Sequence, residues 1–421
     1  MSFVALQLRQ KTCMNQLHDG MMSHVNAYAF SATMVDNDTY FYGQAMNQPD
    51  RPSFIKAIVK EVNDLFQNDV WRLCHRSEIG NIKTIKAVWS FKQKRSPDGT
   101  VTKHKARLCA HGGMREDGVH FWDTYSPVVQ MTTVQILLIL SLLLGLKTRS
   151  IYFTLAFTQA PLDVPTYLDL PTGFSVDGDP KNYVLELKKN LYGLHQAGLN
   201  WFDTLHDHLL DLGFTQSILD PCCYTKGNLI LLCYVDDCLL FCSDERKLTQ
   251  TVDDLKKKFI LEDQGDVAAY LGIDVTKSIC DGIPQFKLSQ PHLMQRVISS
   301  LGLSYSRLHD TPAEPGFQLS KDSDGLDRIY HWYFCSVIGM LNYLCGTRPD
   351  ILYSVNQCSR FCNNPKLSHE KAIKRIICYL KRTPSEGIYL CPDSSKGIQC
   401  YVDADFASGW NASDCEEPSS V

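Results

Sequence analysis

The sequence predicts an α+β fold, on three observations. Two short apolar runs, 229–233 and 238–242, flank Tyr234-Val235-Asp236-Asp237 and read as buried strands joined at a pair of carboxylates. Residues 54–66 and 369–382 repeat apolar side chains at helical spacing. The pattern beyond Gln290 is mainly helical. A hydrophobic content of 44% with 21% charged residues is that of a packed globular protein, and 421 residues suffice for roughly two or three domains.

Taken in order, residues 1–48 lack sustained periodicity and are expected to form a loose leader. A helix is predicted over 54–66, where Phe54, Ile55, Ile58, Val59, Val62 and Leu65 make a stripe. Strands are predicted over 85–91 and 106–110, either side of a Pro97-Asp98-Gly99 turn, as a basic hairpin suited to gripping phosphates. A buried helix follows over 133–146, then strands over 150–157 and 181–187. Residues 196–212 read as a helix with Trp201, Leu205 and Leu209 on one face, and the carboxylate hairpin comes next. Residues 248–259 are helical, with Lys256-Lys257-Lys258 near the C-terminal end, where cations complement the macrodipole. Further helices are predicted over 333–344, 349–361 and 369–382. In the last, Ile373, Ile376, Ile377 and Leu380 form the apolar stripe, and Lys371, Lys374, Arg375, Lys381 and Arg382 lie elsewhere around it. A strand over 398–402 leads into Asp403-Ala404-Asp405.

The net charge of −4 by itself points to no polyanionic partner, but its distribution is uneven. Lys83, Lys86, Lys92, Lys94, Arg95, Lys103, Lys105 and Arg107 stand against Asp98 alone, and the basic residues of 366–382 against Glu370 alone. Such faces are compatible with a nucleic-acid channel, and each taken singly also reads as an ordinary solvated surface. The 17 cysteines contain no Cys-x-x-Cys pair and no partners that complete a zinc pattern, so they read as reduced thiols in an intracellular protein. Residues 1–12 lack the build of a signal peptide, and the most apolar run, 136–146, is too short to span a bilayer.

The two aspartates are the chemically pointed feature. Burying adjacent anions without partners costs several kcal/mol each, and Asp-Asp is a poor two-residue hairpin turn. A cation makes sense of the pair, and Mg²⁺ prefers hard carboxylate oxygens. A solvated turn that keeps both aspartates wet fits this stretch alone equally well; the surroundings decide.

Those surroundings carry a resemblance. Lys103-His104-Lys105-Ala106-Arg107-Leu108, Tyr125-Ser126-Pro127-Val128-Val129, Leu191-Tyr192-Gly193-Leu194-His195-Gln196-Ala197-Gly198, Tyr234-Val235-Asp236-Asp237, Thr347-Arg348-Pro349-Asp350-Ile351 and the helix over 369–380 follow one another along the chain. In this order they resemble the blocks of the reverse transcriptase of copia-type retrotransposons, from about residue 45 to the C-terminus. The resemblance implies a right-hand polymerase with fingers, an antiparallel palm sheet backed by helices, and a helical thumb and connection, followed by a truncated ribonuclease H-like β start. The implied division is a leader at 1–48, fingers and palm at 49–290, thumb and connection at 291–395, and the ribonuclease H start at 396–421.

The implied activity is RNA-directed DNA polymerisation: deoxynucleoside triphosphates added to a primer on an RNA or DNA template, with two Mg²⁺ ions. Asp236 and Asp237 would then be the catalytic, metal-binding pair. Lys105 and Arg107 would clamp the incoming triphosphate, since guanidinium pairs well with phosphate. Phe157 would gate against the ribose 2′-hydroxyl, although a Phe in a strand is also ordinary core, and Gln196 would line the nucleotide pocket. No membrane association is expected. The implied setting is intracellular and cytoplasmic, in the family within a virus-like particle.

The sequence also departs from the family. Tyr152-Phe153-Thr154-Leu155-Ala156-Phe157 stands where the family reads Asp-aromatic-x-x-Ala-aromatic, so Tyr152 occupies the place of the third metal-binding carboxylate. A phenol, with a reference pKa of ~10, stays protonated near neutral pH and is a weak substitute. Gln135, Leu199 and His195 replace residues that are commonly basic in the family. The ribonuclease H-like stretch shows Asp403 without that site's other acids, so no such activity is expected. The expectation is therefore a reverse transcriptase with an impaired polymerase site, set against a catalytically dead remnant that at most binds nucleic acid.

Overall fold

An unbroken apolar strand must be covered on both faces, and the strands around the carboxylate pair are. The computed structural model describes residues 38–95, 100–114, 124–174, 176–302, 307–314, 319–321, 325–329 and 332–393. In chain order the elements are β1 (Thr39–Phe41), α1 (Tyr42–Met46), α2 (Arg51–Gln67), β2 (Trp71–His75), β3 (Ala87–Arg95), β4 (Val101–Ala110), α3 (Met131–Leu143), β5 (Lys147–Phe153), β6 (Pro161–Asp169), β7 (Tyr183–Lys189), α4 (Ala197–Asp211), β8 (Thr215–Gln216), β9 (Cys223–Lys226), β10 (Leu229–Tyr234), β11 (Asp237–Cys242), α5 (Glu245–Lys256), β12 (Leu261–Gly265), β13 (Ala269–Tyr270), β14 (Ile273–Cys280), β15 (Ile283–Ser289), α6 (Pro291–Ser300), α7 (Phe334–Leu344), α8 (Leu352–Ser359), α9 (Leu367–Arg382) and β16 (Ile388–Leu390). The fold is mixed α+β, and among the described residues no helix is long and apolar enough to cross a membrane.

The largest sheet runs β12-β5-β11-β10-β9-β8, all antiparallel. On one face Trp201 and Leu205 of α4 and Leu248 and Val252 of α5 pack against Ile151, Phe153, Leu231 and Leu240. On the other, Leu137 and Leu138 of α3, with Val275 and Phe286 of the sheet β13-β14-β15-β16, pack against Leu232, Leu239 and Phe241. Burial of both faces explains why these strands read as continuous apolar runs.

A second core joins α2 to β3, β4, β6 and β7 through Phe54, Leu65, Trp89, Phe91, Leu108, Leu168 and Leu185. A third binds α6 to α9 through Val297, Ile338, Leu341, Ile373 and Ile377. There Arg348 is buried. Its Nε and Nη2 donate to Asp350 at 2.9 and 2.7 Å, its Nη1 donates to the Thr383 carbonyl at 2.9 Å, and Tyr379 Oη donates to Asp350 at 2.7 Å. The Thr-Arg-Pro-Asp-Ile block is thus a structural knot tying the loop before α8 to the end of α9.

Several sequence expectations are adjusted. Residues 39–46, expected within a loose leader, form β1 and α1, and Tyr40 and Tyr42 pack on the second core. The strand expected over 150–157 is shifted to β5, ending at Phe153, because Leu155 takes a left-handed backbone with φ +54° and a 3₁₀ turn, Ala156–Gln159, follows. The mainly helical segment after Gln290 ends in β16, which returns to pair with β15 across the expected boundary at 290/291. The Pro97-Asp98-Gly99 turn, residues 1–37, the strand over 398–402 and the ribonuclease H-like start at 396–421 lie outside the described residues.

Candidate active site

The carboxylate hairpin is tighter than its sequence implied. Tyr234 is registered against Asp237, which leaves Val235 and Asp236 as a two-residue turn and makes Asp237 the first residue of β11 rather than part of the tip. Val235 has φ +53°, a left-handed backbone that strains a β-branched residue by about 1–3 kcal/mol. Two hydrogen bonds hold the turn. The Trp201 indole Nε1 donates to the Val235 carbonyl at 2.6 Å, and the Phe153 backbone N–H donates to the Asp236 carbonyl at 2.7 Å. Trp201 is in turn fixed edge-on between Phe153 and Phe259. The sequence marked Trp201 only as a core residue; nothing in its helical spacing signals that its N–H caps the turn.

Across the sheet, Asp237 is registered with Tyr152 on β5, and Tyr152 with Glu262 on β12. Directly opposed residues share a face, so the position read as a lost carboxylate does adjoin the hairpin carboxylates. Tyr152 is half-buried. Burial, then the Asp236 charge, push its phenol far above its ordinary value. Burial and the neighbouring Asp236 push the Asp237 carboxyl up to about 6. Tyr343 of α7 approaches the same corner: its hydroxyl donates to the Leu271 carbonyl, and burial, then Tyr234 and Asp237, push it up to about 12.

The basic strand pair presents one cationic face. Lys92 lies opposite Lys105, Lys94 opposite Lys103, and Ser90 opposite Arg107. Burial is the first cause that brings Lys105 down to about 8, followed by Arg107 and Lys94. The Arg107 guanidinium sits over the Tyr192 ring at 4.8 Å, with its Nε enclosed and without a hydrogen-bond partner. Tyr192 packs edge-on against Phe157 at 5.5 Å. Phe157 therefore belongs to the 3₁₀ turn after β5, not to a strand, and it bridges the sheet core and the β3–β4 core.

Gly193 explains the Leu-Tyr-Gly-Leu block. It has φ +87°, and a Cβ there would run into the Ala110 carbonyl, because the Ala110 N–H donates to the Tyr192 carbonyl at 2.7 Å. Only glycine lets this segment lie against the end of β4 and put Tyr192 beneath Arg107. Gln196, expected to line the nucleotide pocket, is buried; its amide donates to Asp163 at 3.2 Å, and Asn200 donates to the same oxygen at 3.1 Å. The structure thus groups Asp236, Asp237 and Tyr152 at the hairpin, and Lys105, Arg107, Tyr192 and Phe157 in a second contiguous set.

A family model described as Reverse transcriptase (RNA-dependent DNA polymerase) matches residues 68–315, more than half of the chain. The chain is 33% identical over 355 residues to the Retrovirus-related Pol polyprotein from transposon RE1 of Arabidopsis thaliana, covering 83% of this chain and 24% of that protein. It is 30% identical over 376 residues to the corresponding polyprotein from transposon TNT 1-94 of Nicotiana tabacum, covering 86% and 28%. The chain thus spans about a quarter of the length of these relatives. A foamy viral protease-reverse transcriptase solved with double-stranded DNA is 12% identical, with a TM-score of 0.38 over 76% of this chain and 47% of that one, too loose a likeness to argue from.

Proposed function

The chain belongs to the reverse transcriptase family of copia/Ty1-type retrotransposon Pol polyproteins, and from that membership we propose an RNA-directed DNA polymerase whose catalytic centre is impaired. One observation carries the proposal: Tyr152, registered directly opposite Asp237 and close enough to feel the Asp236 charge, stands where a third carboxylate is called for. On this reading residues 49–290 are fingers and palm, 291–395 thumb and connection, and 396–421 the beginning of a ribonuclease H domain. Asp236 and Asp237 are the surviving catalytic acids. Lys105 and Arg107 meet the triphosphate, and Phe157 acts on the sugar through the wall it forms with Tyr192. Gln196 acts only indirectly, by fixing Asp163. A primer on an RNA or DNA template and deoxynucleoside triphosphates are the partners, in an intracellular setting.

Magnesium is implied by the family, and the donor set here does not fit it. Two carboxylates on consecutive residues and a protonated phenol replace three acids, and among the described residues no group of three or more His, Cys, Asp or Glu side chains could hold a metal ion. A missing carboxylate at such a site would cost about 4 kcal/mol or more in the barrier, several orders of magnitude in rate. Primer extension decides the matter. Tyr152→Asp should restore extension that the parent lacks; comparable extension by both proteins would overturn the reading.

The dead-remnant alternative also has support. Lys92–Lys105 and Lys94–Lys103 are like charges directly opposed across strands, an unfavourable pairing that a polyanion relieves. Binding to a primer–template that weakens steeply with salt, without extension even by Tyr152→Asp, would favour it.

A further inference from the structure

Away from the hairpin and the cationic strands, the helical unit encloses a cavity of about 580 Å³, a size typical of small-molecule sites. α8 and α9 form one side of it, and the non-helical stretches around Pro312 and around Leu319 and Leu326 form the other. Much of the wall is apolar, with Leu319, Leu326, Ala372 and Ile376 among its residues. The outer stretches are tied to α9 by specific contacts. The Leu367 N–H donates to the Leu326 carbonyl at 3.0 Å, His369 Nε2 donates to the Ser320 carbonyl at 2.7 Å, and Arg328 pairs with Glu370 at 2.8 Å. At the other end Arg375 Nη2 donates to the Thr311 hydroxyl at 2.9 Å, and Arg382 pairs with Asp310 at 2.8 Å. These ties fix the walls, so the space is part of the packing and not a gap between loose segments.

The charge in that wall is what selects an occupant. Lys371 and Arg375 both line the cavity and stand one turn apart on the same face of α9, a spacing at which like charges repel. Among the described residues neither forms an ion pair, whereas Lys366 and Arg382 of the same helix are paired with Asp327 and Asp310. Arg375 has a neutral hydroxyl as its partner, and its Nε is buried without one, a donor that is costly to leave unmade. Glu314 is the one acid in the lining, so the two cations outweigh it. Tyr353, 60% exposed, adds an aromatic face to the same lining. We propose that this cavity is a binding site for a small amphipathic anion: a flat apolar body against Leu319, Leu326 and Ile376, with its anionic group held by Lys371 and Arg375. A neutral apolar molecule would leave the two cations unrelieved, and a cationic one would add to their repulsion. The cavity shares no residue with the carboxylate hairpin or the cationic strands, so its occupancy does not depend on the polymerase reading.

The test titrates the full chain with two fluorescent probes, anilinonaphthalene sulfonate and phenylnaphthylamine, which share their rings and differ in the anionic group. The parent should bind the sulfonate saturably at a single site, and more tightly than the neutral amine. Lys371→Gln and Arg375→Gln should each weaken the sulfonate by about tenfold, the scale of one charge-assisted contact, and leave the amine unchanged. Ala372→Trp, which fills the cavity from α9, should abolish binding of both probes. If that variant does not melt cooperatively, Gln357→Trp fills the same space from α8 and carries the same expectation. Three results would each overturn the proposal. They are a parent with no saturable binding, sulfonate binding that survives the filled cavity, and an equal response of both probes to loss of the cations.

Discussion

Tyr152 and Asp237 face one another across β5 and β11, and the Asp236 charge lies close enough to help hold the phenol proton in place. On the proposed reading the phenol takes the place of a third metal-binding carboxylate and spares this corner a third anion. Replacement by Asp should reverse both effects. In a chelator, Tyr152→Asp should melt below the parent, because three carboxylates then share one corner. With Mg²⁺ it should recover, gaining about 2.7 kcal/mol at roughly 100 times Kd, while the parent shows no comparable rise. Thermal melts with and without Mg²⁺ check this; equal responses of the two proteins would remove the case for an impaired centre.

Asp237 gives the hairpin a pH signature. Its carboxyl is pushed up to about 6 by burial and then by Asp236, whereas an unfolded aspartate titrates near ~3.9. The folded protein therefore holds this proton more tightly than the unfolded chain. The resulting contribution to stability is fully present below about pH 4 and is lost as pH rises through about 6. Asp236→Asn should bring the midpoint down without returning it to the reference value, since burial, the larger cause, remains. Carboxyl-carbon NMR titration of the two proteins reads the shift directly.

The strained turn depends on a single indole. Trp201→Phe preserves most of the ring packing on Phe153 and Phe259 but deletes the donor to the Val235 carbonyl. Leaving that carbonyl unpartnered should cost about 1–3 kcal/mol in urea unfolding. Amide exchange should quicken at residues 234–237 more than in α5, which packs on the same sheet face. A uniform loss of protection would assign Trp201 to general core packing instead.

Much of this was legible in the sequence, and the exceptions have physical causes. The hairpin could be read because apolar runs on both sides of a charged break have few other interpretations, and residue 152 was rightly placed beside it, because strand register admits no small slip. The turn was read one residue late, since composition does not reveal that Val235 accepts a left-handed backbone once Trp201 holds its carbonyl. The α2 stripe was read through Ile55 and Val59, which are 40% and 53% exposed, whereas Glu61 faces inward. The Leu108 N–H of the edge strand β4 donates to that inward acid, and no spacing rule anticipates a partner on a distant strand. The pocket role of Gln196 is implied by the resemblance alone, and its burial beside Asp163 is visible only in three dimensions.

Gly193 offers the sharpest test of how the cationic set is built. Its backbone is left-handed and its α-carbon lies against the Ala110 carbonyl, so Gly193→Ala brings both conformational strain and a clash with backbone that cannot rotate away. The expected loss is about 2–4 kcal/mol, well above that of an ordinary glycine substitution. The damage should also be directional. Tyr192 should shift away from beneath Arg107, the Ala110–Tyr192 hydrogen bond should lengthen, and tripolyphosphate affinity should fall more than tenfold in protein that is still folded. Gly227→Ala, at a β9–β10 turn with open space around the added methyl, is the control: it shares the left-handed backbone but not the collision, and it should lose about 1 kcal/mol and leave tripolyphosphate binding unchanged. Equal losses in the two variants would show that backbone strain alone, and not the close approach of the 191–194 segment to β4, governs this corner.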